Sequence, residues 1–154
     1  PAPFTGLRVG LAAATMFAEG SGAQLSGVVS LDAIALTALK TLKASPAKPL
    51  LVTTDARRSE VYWALYSGVT ANGSPIRAEG PQVLKPAALA ELLEVRGITP
   101  ITTDAVITGA ALGELAEALR ADGLLERDVT AMYLRAPDAV EPKAPGQFGK
   151  KVSS

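Results

Sequence analysis

Pro49-Leu50-Leu51-Val52-Thr53-Thr54-Asp55-Ala56-Arg57-Arg58-Ser59-Glu60-Val61-Tyr62-Trp63-Ala64-Leu65-Tyr66 is the stretch whose reading decides the fold. Its Leu-Leu-Val run predicts a buried strand over 49–54, and Asp55 to Ser59 reads as a turn. From Glu60 to Tyr66 the chain resumes as a strand. Val61, Trp63 and Leu65 alternate with Tyr62, Ala64 and Tyr66, so both faces are largely apolar. Asn72-Gly73 is a strong turn signal that returns the chain through Ser74 to Ala78, and a third strand is expected over 75–84. Three consecutive strands of this kind form a meander.

Helical patterns flank the meander on both sides. Pro1-Ala2-Pro3 is turn material, and Thr5 offers an N-cap oxygen to a helix running from Gly6 to Glu19. Leu7, Leu11, Ala14 and Ala18 share one side of that helix. Gly6, Gly10 and Ala13 or Ala14 place small residues three to four apart, which lets a second helix approach closely. Gly20-Ser21-Gly22 ends it. Leu25–Val29 reads as a short strand, and Ser30 as the cap of a second helix reaching about Leu42, with Ile34, Leu39 and Leu42 on its buried stripe.

Beyond the meander, Lys85-Pro86 opens a helix whose core face is Leu89, Leu92, Leu93 and Val95. A strand over 99–108 and a helix over 110–121 follow, then a short extended piece from Met132 to Arg135. From Ala136 onward the prolines, glycines and Lys150-Lys151 describe a tail without apolar periodicity, expected to be mobile or to lie on a surface. Helices and strands in this order predict the α/β class.

Composition bounds the chemistry. The 154 residues suit one ordinary domain or two small lobes, and 48% hydrophobic residues exclude a disordered or fibrous chain. Lys+Arg and Asp+Glu both number 15, and this zero net charge argues against a general binder of nucleic acid or membrane surface. There is no Cys and no His, so the chain offers no disulfide, thiolate, imidazole ligand or His general base. What survives is carboxylate, Lys, Arg, Tyr and backbone chemistry. Nothing approaches about 18 consecutive apolar residues and no signal peptide is visible, so a cytoplasmic protein is expected. The first residue is Pro1 rather than Met, and the natural protein is expected to begin earlier.

Three segments could carry function. Phe4-Thr5-Gly6-Leu7-Arg8-Val9-Gly10 is a glycine-bearing turn feeding a helix, which could face a phosphate or another chain, or could be ordinary close packing. It is neither a Walker loop nor a dinucleotide fingerprint. Asp55 could act as a base or Mg²⁺ ligand with Arg57 and Arg58 on phosphate; alternatively Asp55 makes an Asx-type turn with both arginines solvated. Tyr62, Trp63 and Tyr66 could stack on a base, though at strand spacing aromatic side chains more often fill a core. Tyr133-Leu134-Arg135 could dock a partner or pair as a last strand.

Taken in order, Pro3–Gly10, Val29-Ser30-Leu31-Asp32-Ala33, Asp55–Ala64 and Tyr133-Leu134-Arg135 resemble one family from residue 1 to about residue 135. It is the TsaB family (older name YeaZ), the bacterial proteins of tRNA threonylcarbamoyladenosine synthesis, historically labelled glycoprotease-like or peptidase M22 homologues. Ala2 stands where the family's -PGSFTGxRxG- motif usually carries glycine. The family's opening segment, a strand-rich lobe with a phosphate-loop-like strand and a first helix, is absent from this sequence. The stretch between Gly109 and Tyr133 looks shorter than the family's.

The resemblance implies an actin/Hsp70-like ATPase (ASKHA) architecture of mixed sheets with flanking helices, the first lobe incomplete. Residues 1–30 would finish that lobe, 31–135 would form the second, and 136–154 the tail. It also implies a non-catalytic scaffold, a paralogue of TsaD without its metal-binding histidines. The expected partners are a TsaD-like paralogue and a TsaE-like ATPase, or a second copy of the chain in isolation, with tRNA reached only through the complex. No catalytic residue, metal or cofactor is assigned. The partner interface is placed at Thr5, Gly6, Leu7, Gly10, Leu11, Ala14 and Phe17. Two other functions stay open: a nucleotide-binding or hydrolytic enzyme using Asp55, Arg57 and Arg58, and a generic α/β interaction domain. A peptidase finds no support in a chain without Cys or His.

Overall fold

The computed structural model describes residues 4–127 and 129–135. The predicted tail, Pro1-Ala2-Pro3 and Lys150-Lys151 lie outside the described residues. The meander forms as expected. β1 (Leu50–Asp55) pairs antiparallel with β2 (Val61–Val69), and β2 pairs antiparallel with β3 (Pro75–Leu84). A short β4 (Ile101–Thr102) lies parallel to the start of β1, giving a four-stranded mixed sheet of order β3-β2-β1-β4.

Alternation along the strands sends side chains to two cores. Leu50, Val52, Ala64 and Tyr66 point to one face, where Leu31, Ile34, Ala35 and Ala38 of α2 (Ser30–Leu39) cover them. Leu51, Trp63 and Leu65 point to the other, under Leu89 and Leu93 of α3 (Pro86–Val95). A third cluster joins Ala33 and Leu36 of α2 to Ala111 and Leu115 of α4 (Gly109–Ala121). The layers therefore run α4, α2, sheet, α3. A strand apolar on both faces requires this arrangement, because each uncovered face would leave its side chains in water.

α1 (Phe4–Ser21) takes no part in these main packings. It ends at Gly22, whose φ of +66° suits glycine, while the Ala23 amide donates back to the Ala18 carbonyl at 3.1 Å in a Schellman-type closure.

Several boundaries differ from the sequence reading. Thr5 lies inside α1, since the helix is already formed at Phe4. Ser30 is likewise the first residue of α2 and not its cap; Val29 occupies the cap position without a side-chain hydrogen bond. Leu25–Val29 makes only an isolated bridge, Gly27 to Glu126, in place of a strand. The strand expected over 99–108 shrinks to two residues. Thr103 turns its hydroxyl onto the Ala105 amide at 3.1 Å, a local bond that competes with ladder pairing. Val95 is 80% exposed because it sits on the last turn of α3, past the sheet-facing stripe. Met132–Arg135 does not join the sheet.

Candidate functional site

α1 carries the residues singled out for partner contact, and the structure divides them. Leu7, Leu11 and Ala14 are half-buried in line with buried Ala18. Thr5, Gly6, Gly10 and Phe17 are exposed. Gly6, Gly10, Ala13 and Phe17 recur at helical spacing, so they share one outward face. Val9 (63% exposed), Met16 (73%) and Phe17 (75%) crowd onto or beside it, and a side chain added at Gly10 would meet nothing within 4 Å. Val9 and Met16 were not among the predicted interface residues. Their signal was available in the sequence, because Val9 and Met16, seven residues apart, line the same flank of the glycine stripe and widen it into a surface.

The turn between β1 and β2 gathers the second candidate set. Arg57, Arg58 and Ser59 all adopt left-handed backbone, with φ of 64°, 56° and 57°. Three such non-glycine residues in a row are unusual, each costing on the order of 1 kcal/mol. Local bonds hold them there. The Arg57 amide donates to Asp55 Oδ1 at 2.8 Å, the Ala56 amide to the Glu60 carbonyl at 2.9 Å, and the Glu60 amide to the Arg57 carbonyl at 3.0 Å. Asp55 thus makes the Asx-type turn, and its second oxygen lies 3.5 Å from the exposed Arg57 guanidinium. From the far end of the chain, Arg135 donates to the Ala56 carbonyl at 3.3 Å and pairs with Glu60.

Trp63 and Tyr66 are fully buried, so they form core and cannot stack on a ligand. Beneath Tyr66 lies a polar group that the sequence reading did not single out as a site. The Tyr66 hydroxyl donates to Asp32 Oδ1 at 2.7 Å, and Arg77 donates to Asp32 Oδ2 at 2.9 Å. Burial raises the Asp32 pKa above the usual carboxylate range, against the lowering effect of Tyr66 and Arg77. The Tyr66 hydroxyl is pushed far up by burial and by the carboxylate beside it. No spacing rule joins Asp32 to Arg77, which is why the pair is invisible before folding.

A cleft of about 680 Å³, open to solvent, lies between Thr37, Thr41 and Leu42 on one side and Thr102 to Ala105 on the other. Thr37 and Thr41 donate their hydroxyls back to their own helix, and the Thr103 oxygen accepts the Ala105 amide. Three of the four threonine hydroxyls lining the cleft are thus engaged within their own segments, and Asp104 adds a carboxylate to its rim. No helix among the described residues is long and apolar enough to cross a membrane. Groups of three or more His, Cys, Asp or Glu suited to a metal are absent among the described residues.

A mixed sheet held between helices, with β1 and β2 joined by the Asp55–Ser59 turn, is the α/β architecture of the actin-like ATPase (ASKHA) fold. The chain belongs to the TsaD family, tRNA N6-adenosine threonylcarbamoyltransferase, whose model matches residues 1–120, and it is TsaB (YeaZ)-like.

Among solved structures, a Pseudomonas aeruginosa protein with similarity to peptidase YeaZ superposes with a TM-score of 0.63 at 25% identity, covering 88% of this chain and 70% of its own. YeaZ from Pseudomonas aeruginosa gives 0.61 at 21% identity, covering 82% and 67%. Among curated proteins, the uncharacterized ML0378 of Mycobacterium leprae is 38% identical over 144 residues, 90% of this chain and 37% of that protein. The uncharacterized Rv3421c of Mycobacterium tuberculosis is 43% identical over 83 residues, 54% of this chain and 33% of that protein. The chain thus spans about a third of the length of the curated relatives it matches.

Proposed function

We propose that this chain acts in tRNA threonylcarbamoyladenosine synthesis as a non-catalytic scaffold, and that α1 docks it onto a TsaD-like paralogue. One observation carries the reading. α1 stands outside the main layered packing and turns Gly6, Gly10, Val9, Met16 and Phe17 outward, an apolar face with a shallow glycine groove. Glycines let a partner helix approach, and Phe17 and Met16 are large enough to anchor it. In this reading residues 1–30 belong with the first lobe and the layered body is the second. A TsaE-like ATPase joins the assembly, tRNA is met through the complex, and a second copy of the chain takes the paralogue's place when that is missing.

The absence of histidine from the sequence supports a subunit that leaves the chemistry to its partner. The alternative enzyme centred on Asp55, Arg57 and Arg58 has less support, because Asp55 is engaged in its own turn and against Arg57, and the sequence holds no imidazole to pair with it.

Gly10→Arg and Phe17→Glu test the docking face. Both positions are exposed, so the isolated chain is expected to keep its far-UV circular dichroism and unfolding midpoint. Affinity for a TsaD protein in titration calorimetry is expected to fall at least about tenfold, as for an interface anchor. Unchanged affinity in both variants overturns the docking assignment. Binding of millimolar ATP by the isolated chain, lost in Asp55→Asn, would favour the enzyme instead.

A further inference from the structure

α1 makes no main packing on the sheet, yet it is held in one place, and the bonds that hold it come from the other end of the chain. After α4, the Glu126 carbonyl accepts the Gly27 amide at 3.2 Å, six residues past the C-terminal end of α1. Farther on, the Tyr133 hydroxyl accepts Arg8 Nε at 3.2 Å, in the second turn of α1. Arg8 lies in the helix itself, whereas Gly27 lies in the segment that leads out of it, so the Tyr133 bond holds α1 directly and the Glu126 bond holds the chain that follows. Two residues after Tyr133, Arg135 grips the strained β1–β2 turn through Glu60 and the Ala56 carbonyl. One short run of chain thus touches the helix and the body of the molecule together.

We infer that Val129–Arg135 is a strap that positions α1, with Tyr133 as its grip on the helix and Arg135–Glu60 as its anchor on the sheet. Each part explains something otherwise unaccounted for. Glu60 and Arg135 are both largely shielded, so their pair is stronger than a surface contact and survives salt better. Arg135 also satisfies the Ala56 carbonyl at the foot of the left-handed tip, which helps to hold Arg57, Arg58 and Ser59 in a backbone they would not otherwise adopt. A helix fixed in orientation loses less freedom when another helix docks on it, so the strap lowers the ordering cost of association. That last consequence rests on the docking role proposed above; the strap itself does not.

The test is amide hydrogen exchange on the whole chain without any partner. Arg135→Gln and Tyr133→Phe each remove one attachment while keeping side-chain bulk. Exchange of the α1 amides is expected to quicken roughly three- to tenfold in each variant, the worth of one hydrogen bond, while the β1 and β2 amides keep their protection. Exchanging the charges, Glu60→Arg with Arg135→Glu, is expected to restore protection in α1. Unchanged exchange in α1 in both single variants overturns the strap. So does an equal loss across α1 and the sheet, which would mean that Arg135 serves general stability. Because no partner is present, failure of the docking reading leaves this outcome untouched. A variant with a loosened α1 but full affinity for TsaD would separate the two.

Discussion

In the body of the molecule, Asp32 is a buried carboxylate that meets both a phenol hydroxyl and a guanidinium. It is 6% exposed, with the Tyr66 hydroxyl on one carboxylate oxygen and the Arg77 guanidinium on the other. Because its folded pKa is raised, the native state binds its proton more readily than the unfolded chain does. Its ionisation therefore costs stability as pH rises through that raised value, and the cost is absent below the ordinary carboxylate range. Arg77→Ala removes the counter-charge and raises the Asp32 pKa further. The expected loss is about 1–3 kcal/mol near neutral pH and smaller in acid, once Asp32 has taken up its proton. Urea unfolding at both pH values measures it; an equal loss at each would assign Arg77 a packing role instead.

Single residues were unevenly legible in the sequence. Trp63, Tyr66 and Leu50 announce themselves as core by alternation alone, and all three are fully buried. Asp55 as a turn-former was also readable, because a short acceptor two residues ahead of an amide suits an Asx turn. The left-handed Arg57-Arg58-Ser59 run was not. Glycine or asparagine would have signalled it, and beside the local bonds one support, the Arg135 bond to the Ala56 carbonyl, arrives from far along the chain.

At the scale of elements, the β2–β3 hairpin shows how irregularity can be built in. Register shifts interrupt the pairing between Trp63 and Gly68, and Gly80 sits at one of them with φ +86°. A Cβ there would lie 2.6 Å from the Trp63 carbonyl oxygen and 3.0 Å from Ala64 Cα. Both neighbours are backbone and cannot turn aside, so Gly80→Ala is expected to destabilise by roughly 2–4 kcal/mol. Thermal unfolding reads this directly, and a midpoint within a degree or so of the parent would contradict it.

The other end of the hairpin is latched to α4. Thr70 donates to Asp122 Oδ2 at 2.6 Å and Asn72 to Oδ1 at 2.7 Å, while the Ser74 amide donates to the Thr70 hydroxyl at 3.0 Å. Ser74, Thr70 and Asn72, facing the carboxylate, hold the Asp122 pKa below its usual value. The sign is thus opposite to that of Asp32: the latch is in place above the ordinary carboxylate range and is lost as pH falls through the depressed folded value. Asp122→Ala is expected to expose the Thr70–Ser74 amides to faster exchange at neutral pH and to make little difference in strong acid. Exchange at those amides that is unaffected at neutral pH would refute the latch.

Helices and long strands could be read because their period repeats over many residues, whereas β4 could not be sized. In the run from Ile98 to Ile107 the Thr103 hydroxyl oxygen takes up the Ala105 amide, and pairing stops after Thr102. The hairpin turn was legible from Asn72-Gly73, but its partner Asp122, across the molecule, was not.

For the molecule as a whole, the two-faced apolar strand foretold cover on both sides, and the layers of α4, α2, sheet and α3 supply it. The apolar stripe of α1 was equally plain, yet its split into an inner row of Leu7, Leu11 and Ala14 and an outer face of Gly6, Gly10 and Phe17 depends on where the helix sits. That placement is a property of the strap, and a strap held by single side chains leaves no periodic trace. β3, finally, bears on how the chain behaves at high concentration. It forms one border of the sheet and carries Pro75 and Pro81, which have no N–H to offer, together with charged Arg77 and Glu79 and the shifts in register. A border so interrupted is a poor template for another strand, so growth of fibrils or edge-to-edge aggregates from that end is disfavoured from the outset.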